Sequence, residues 1–319
     1  MLRAIFIYLS KAQWARRIVT GWRIARRVAS RFVAGDTLDA AIEVIRSLNQ
    51  KGLYVTLDHL GEGVSNPEEA RRAAKAILDL LDKIHTCGIQ TSVSVKLTQL
   101  GLLVDPDLCL ENMQAIVARA EETGNFVRID MEDSAVIDQT LVIHGQLRDR
   151  GYDNLGKVIQ SYLYRSEADT RALLEAGVPI RLVKGAYDEP AELAFPRKAD
   201  VDANFDRLTS IIIDAACKLS SPPQAAEAKR PPITALGTHD KNRIEFGIQY
   251  AEKVGMPKDA LEIQMLYGIR SDLQRSLAAQ GYPVRVYVPY GTEWYPYFMR
   301  RLAERPANLW FFITNFFRK

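Results

Sequence analysis

The sequence predicts an α/β chain folded as an eight-stranded β/α barrel of the TIM type, and three observations predict it. From residue 53 onward, short β-rich runs alternate with longer helical patterns, the rhythm of parallel βα units. Eight such runs can be counted, the number that closes a barrel. Several of the runs end in polar or charged residues, and strand ends are where such a barrel builds its active site.

In order, the runs are Leu53 to Leu57, Thr91 to Leu97, Phe126 to Met131, Lys157 to Tyr162, Pro179 to Lys184, Ile233 to His239, Leu261 to Leu266 and Val284 to Val288. Helical patterns fill the gaps: Pro67 to Ile84, Asp107 to Glu122, Ser134 to Arg150, Glu167 to Glu175, Asp202 to Leu219, Lys241 to Val254 and Asp272 to Ala279. A last helix, Glu293 to Arg305, follows the eighth run. Ahead of the barrel, Thr37 offers an N-cap oxygen to a helix over Leu38 to Ser47. The stretch Ser220 to Pro232 holds four prolines and no apolar periodicity, so a mobile surface loop is expected there. The organisation expected is a helical arm over 1–50, a catalytic barrel over 51–308 and an aromatic, basic tail over 309–319.

With 47% hydrophobic residues in 319, the chain can bury a sizeable core and shows no compositional sign of disorder. A net charge of +3 gives no general reason to expect nucleic acid. Charge is nonetheless uneven. Eight basic and no acidic residues lie between Met1 and Gly35, a start that also resembles a mitochondrial targeting segment poor in serine. Cys87, Cys109 and Cys217 are scattered and lack CxxC spacing, which argues against a disulfide framework or zinc site and suits a reducing cytosol. No apolar run is long enough to span a bilayer.

The strand-end set is Lys96, Asp130, Gln160, Arg181 with Lys184, and Thr238 with His239. Each alone reads equally well as a solvated mouth residue; together they describe a charged pocket. No GxGxxG follows a strand and no GxxxxGK[ST] occurs, so neither a Rossmann site nor a P-loop is present. The histidines lack metal-ligand spacing, so no metal is expected, and no serine sits in a nucleophile elbow. Arg300 and Arg301 lie within one helical turn of Glu304. Paired guanidinium forks suit a substrate carboxylate, although on spacing alone a solvated helical face is the better reading.

The strings SVKLTQLG at 94–101, RIDMED at 128–133, IQSYL at 159–163, RLVKGAYDE at 181–189, GTHD at 237–240, EIQMLYGIR at 262–270 and YVPYGTEWYPYFMRRLAERP at 287–306 resemble the proline dehydrogenase family, single-function bacterial type. The resemblance runs in order through the whole barrel. It implies FAD-dependent oxidation of L-proline to 1-pyrroline-5-carboxylate, by hydride transfer from C5 to flavin N5, and onward passage of electrons to a membrane quinone. By the same resemblance, FAD is bound by Met131, Gln160, Arg181, Lys184, Gly185, Ala186, Thr238 and His239. Proline is held by Lys96, Arg300 and Arg301, with Glu304 orienting the pair and Tyr287 and Leu266 walling the ring. Asp130 and Arg181 are the candidate catalytic groups, and Asp130 is expected to hold Lys96 or its local network. The tyrosine at 287 favours proline over hydroxyproline. The family commonly has alanine where this chain has Gly237, which is expected to loosen that strand end.

Two rivals remain open on the residues themselves. One is a Schiff-base or phosphate-binding barrel lyase with Lys184 or Lys96 as the amine; the other is a non-catalytic, membrane-associated barrel. The arm arginines, interleaved with Trp14, Val19, Trp22 and Phe32, suit an anionic lipid surface and equally suit ordinary packing. The expected setting is cytoplasmic, against the inner face of the membrane. Further partners expected are a second copy of the chain and a separate pyrroline-5-carboxylate dehydrogenase.

Overall fold

The computed structural model describes residues 23–61, 63–218 and 224–304, with Ala12, Trp14 and Val19. Its sheet consists of β1 Tyr54–His59, β2 Ser92–Val95, β3 Val127–Ile129, β4 Leu155–Gln160, β5 Ile180–Val183, β6 Thr234–Gly237, β7 Leu261–Leu266 and β8 Val284–Tyr290. Each strand pairs in parallel with the next, and β8 returns to β1, so the barrel is closed.

Among the described residues, the α-helices are α1 Arg23–Ala29, α2 Leu38–Asn49, α3 Pro67–Cys87, α4 Pro106–Glu122, α5 Ile137–Asp149, α6 Ser166–Glu175, α7 Lys198–Cys217, α8 Lys241–Val254, α9 Ser271–Ala279 and α10 Trp294–Glu304. Local chemistry sets their ends. Thr37 accepts from the Ala40 amide to start α2. Asn66 accepts from the Glu69 amide and Pro67 opens α3, which stops at Gly88 in the left-handed region.

Alternation sorts the strand side chains. Val55 and Leu57, Val93 and Val95, Val127 and Ile129 join the fully buried apolar core between barrel and helices. The intervening Thr56, Asp58, Ser94, Arg128 and Asp130 are buried too and point into the barrel, where a branched aliphatic filling is usual. This polar interior places the site.

Three expectations change. The fourth strand lies two residues earlier than predicted, yet Ser161 and Tyr162 keep ladder bonds to Val183 O and Lys184 O. α7 begins at Lys198 rather than Asp202. The described part of the proline-rich loop is anchored: Arg285 donates to Glu227 O at 2.6 Å and Ala228 O at 2.8 Å, and Tyr54 to Ala226 O at 3.3 Å.

The described part of the basic arm has an apolar partner within the chain. Ala25, Val28, Ala29 and Phe32 are buried with Trp294, Tyr295 and Phe298 of α10, the Phe32 and Phe298 rings lying 6.2 Å apart. Phe32 therefore packs on α10 and is not a lipid-facing residue, while Arg26 and Arg27 stay exposed. The aromatic tail over 309–319 lies outside the described residues.

Candidate active site

A cavity of about 790 Å³ opens at the C-terminal ends of the strands, toward the upper end of the about 300–1,000 Å³ usual for small-molecule sites. Lys96, Asp130, Met131, Gln160, Arg181 and Lys184 line it from the ends of β2 to β5. Gly185, Ala186, Thr238, His239, Leu266 and Tyr287 continue the wall, and α10 adds Arg300 and Arg301. The Glu304 side chain lies outside the described residues.

At the floor, three groups from β5, β8 and the end of β3 meet. Arg181 Nη1 donates to Asp130 Oδ1 at 2.7 Å, and Tyr287 Oη to Asp130 Oδ2 at 2.8 Å. Arg181 also donates to Ser94 Oγ at 3.1 Å and to Gln264 Oε1, and its guanidinium lies 5.4 Å from the Tyr287 ring centre. Burial first, then the charges of Asp130 and Asp58, hold the Tyr287 pKa well above the usual phenol value; Arg181 acts the other way. Tyr287 is a lasting donor.

Lys96 Nζ meets Asp58 at 3.1 Å; of the two expectations for Asp130, holding Lys96 or the local hydrogen-bond network, the network is the one seen, through Arg181 and Tyr287. Lys96 extends from the end of β2 toward β1, its neighbour, while Asp130 is engaged by β5 and β8. Lys184 is not a bare cation either: its Nζ donates to Asp202 and to Asp240 Oδ2, the latter at 2.5 Å. Arg301 is buried, its guanidinium 5.1 Å from the Tyr297 ring centre. His239 Nε2 accepts from the Leu266 amide at 2.9 Å, which requires a neutral ring with its proton on Nδ1.

Two glycines are fixed by neighbours. Gly185 has φ +116°, and a Cβ there would collide with the Tyr162 ring, so the close approach it permits is that of Tyr162. A Cβ on Gly237 would lie 2.7 Å from Val183 Cγ1. The space a methyl would take there is filled by Val183.

Sequence reasoning missed Asp58, Gln264 and Glu262. A signal existed: in LEIQML the polar residues alternate with apolar ones, as strand residues facing two environments must. It also missed Glu189, which accepts from the Ser134 amide at 2.7 Å and from its hydroxyl, tying the β5–α7 loop beside the mouth.

Residues 41–313 match the family model for proline dehydrogenase. The chain belongs to the proline dehydrogenase family. It is 39% identical to proline dehydrogenase 2 of Bacillus subtilis (strain 168) over 317 residues, 99% of each chain. Identity to the proline dehydrogenase of Deinococcus radiodurans is 41% over 292 residues, 90% of this chain and 89% of that one. Among solved structures, proline utilization A (PutA) from Bdellovibrio bacteriovorus, inactivated by N-propargylglycine, superposes with a TM-score of 0.78 at 27% identity, over 88% of this chain and 33% of that one. The chain matches the Bacillus protein end to end and spans a third of the PutA chain.

Among the described residues, no group of His, Cys, Asp and Glu could hold a metal, and no helix is long and apolar enough to cross a membrane.

Proposed function

We propose that this chain oxidises L-proline to 1-pyrroline-5-carboxylate with FAD as acceptor, the first step of proline breakdown. The observation that carries the reading is the Asp130–Arg181–Tyr287 cluster at the floor of a cavity whose rim offers Lys96, Arg300 and Arg301.

The lining fits FAD by the chemistry of its groups. Apolar walls from Met131, Val158 and Tyr162 suit a flat ring, and Gln160, Thr238 and His239 offer polar contacts. Lys184 and Lys198, set among Asp202 and Asp240, suit a polar, charged end. The residues that would hold FAD are thus Met131, Gln160, Arg181, Lys184, Gly185, Ala186, Thr238 and His239. When bound, FAD supplies a two-electron acceptor at N5 for the hydride leaving proline C5.

The chain's own residues bind and orient. Lys96, Arg300 and Arg301 hold the proline carboxylate, Arg forks giving the direction that a lone ammonium would not. Leu266 and the Tyr287 ring wall the pyrrolidine and select against a hydroxylated one. Arg181 sets positive charge where negative charge develops. With one Asp130 oxygen on Arg181 and the other on Tyr287, Asp130 positions both groups, a role its geometry suits better than proton transfer. A Schiff-base lyase is disfavoured, because Lys96 and Lys184 are each ion-paired with carboxylates, the opposite of a desolvated, neutral amine.

Reoxidation by a membrane quinone, at the cytoplasmic face, follows from the family resemblance, and exposed Arg26 and Arg27 suit an anionic surface. Co-sedimentation with anionic vesicles checks it; protein left in the supernatant removes the membrane surface from the reading. The main test is simpler. Purified protein supplied with FAD turns yellow, and proline bleaches it anaerobically. A colourless protein that takes up no FAD defeats the proposal.

A further inference from the structure

A buried line of side chains runs through the barrel beneath the site. Arg181 Nε donates to Gln264 Oε1. Gln264 Nε2 donates to Glu262 Oε1 at 2.5 Å. Glu262 accepts in turn from Arg285 Nε and Nη2, both at 2.9 Å, and neither Glu262 nor Arg285 has any exposed surface. Arg285 ends the line on the carbonyls of Glu227 and Ala228, at the opposite end of the barrel.

Gln264 thus lies between a cation and an anion, and its amide has one end for each. The carbonyl faces the Arg181 guanidinium, and the NH2 faces the Glu262 carboxylate. Turned over, NH2 would meet Arg181 and oxygen would meet Glu262, two repulsive contacts where little water screens them. The geometry points to Gln264 and Glu262 as positioning residues for Arg181. Glu262 fixes the direction of the Gln264 amide, and that amide fixes the Nε edge of Arg181 so that Nη1 stays on Asp130. Glu262 acts entirely through its neighbour, since it does not line the cavity. Only the catalytic consequence rests on the proline-oxidising reading; the positioning itself does not.

The experiment has two arms on the full chain. In the first, the Arg181 Nε–H signal is followed by 15N–1H NMR and assigned by its loss in Arg181→Lys. The signal is shifted downfield and slow to exchange in the wild type, and exchanges about tenfold faster in Gln264→Met, the scale of one lost charge-assisted hydrogen bond. It does the same in the double substitution Glu262→Met with Arg285→Met, which removes both buried charges together and leaves neither unpaired. Unchanged exchange in that double variant overturns the role of Glu262.

In the second arm, Gln264→Glu is assayed with proline across pH. When protonated, the introduced carboxyl copies the amide, its carbonyl toward Arg181 and its O–H toward Glu262. When ionised, it repels Glu262 and draws Arg181 off Asp130. Turnover per KM therefore drops about tenfold near neutral pH and recovers as pH falls through the new carboxyl's pKa. A purely structural loss is the same at every pH, and a wild-type profile overturns the role of Gln264. Wild-type protein that leaves proline unoxidised defeats the proposed reaction, and the exchange arm still decides the positioning.

Discussion

Tyr287 and Asp130 meet across the barrel mouth, the phenol of β8 donating to the carboxylate that follows β3 at 2.8 Å. The two strands are not neighbours in the sheet, so the bond crosses the interior. Arg181 holds the other carboxylate oxygen at 2.7 Å and lies over the Tyr287 ring. Each member thus fixes the other two.

Tyr287→Phe keeps the ring wall and removes the donor, leaving one Asp130 oxygen buried without it. Turnover per KM for proline falls about 10–100-fold, the cost of an unsatisfied buried acceptor. Steady-state assays across pH check this. Because the Tyr287 pKa is held well above the usual value, the wild type shows no loss from tyrosine ionisation near pH 10, where an ordinary phenol would titrate.

Asp58→Asn cuts the ion pair that fixes Lys96. Both side chains are buried, so losing one charge destabilises the fold by about 3 kcal/mol. Without that anchor Lys96 shifts from the carboxylate position, and KM for proline rises more than turnover falls. Urea unfolding and initial rates measure the two effects; an unchanged KM would place Lys96 outside substrate binding.

Lys157 lies fully buried in β4, outside the cavity, and burial lowers its pKa to about 7. A base whose folded pKa is depressed binds fewer protons folded than unfolded. Its burial cost is therefore full below about pH 7, fades as pH rises toward its ordinary value of 10.5, and is gone above it. Lys157→Met stabilises the protein by about 2–4 kcal/mol at neutral pH, with a gain that shrinks between pH 7 and 10.5. Chemical unfolding at two pH values decides it, and a gain independent of pH would refute the account.

Gly156 leaves room for the buried Arg128. A Cβ there would lie 2.5 Å from Arg128 Nη1, 2.6 Å from Pro179 O and 2.7 Å from Phe126 Cζ. Gly156→Ala must move backbone or a fully buried side chain, and costs about 1–3 kcal/mol. A melting temperature equal to the wild type's would contradict it.

Much of the fold was legible in local pattern. The eight runs emerge because period-two apolar residues and turn residues are local signals, and most of the helices end where capping residues or glycine stop them, within a few positions of the expectation. The site was legible in membership but not in wiring. Lys96, Arg181 and Tyr287 could be chosen as cavity residues; the alternation in LEIQML marks Glu262 and Gln264 as facing a second environment, but no local feature says which partner each of them, or Asp58, meets. The anchoring of the proline-rich loop was hidden for the same reason: Arg285 is 57 residues from Ala228.

The sequence by itself determined the strand count, the alternation that turns polar side chains into the barrel, and the cations at the strand ends. Tertiary structure alone decided the pairings: Asp58 with Lys96, Asp130 with Arg181 and Tyr287, and Gln264 between Arg181 and Glu262. The physical reason is closure. Residues such as Asp130 and Tyr287, 157 positions apart, become hydrogen-bond partners only when the strands join edge to edge, and the register of that closed sheet chooses which inward charges face one another.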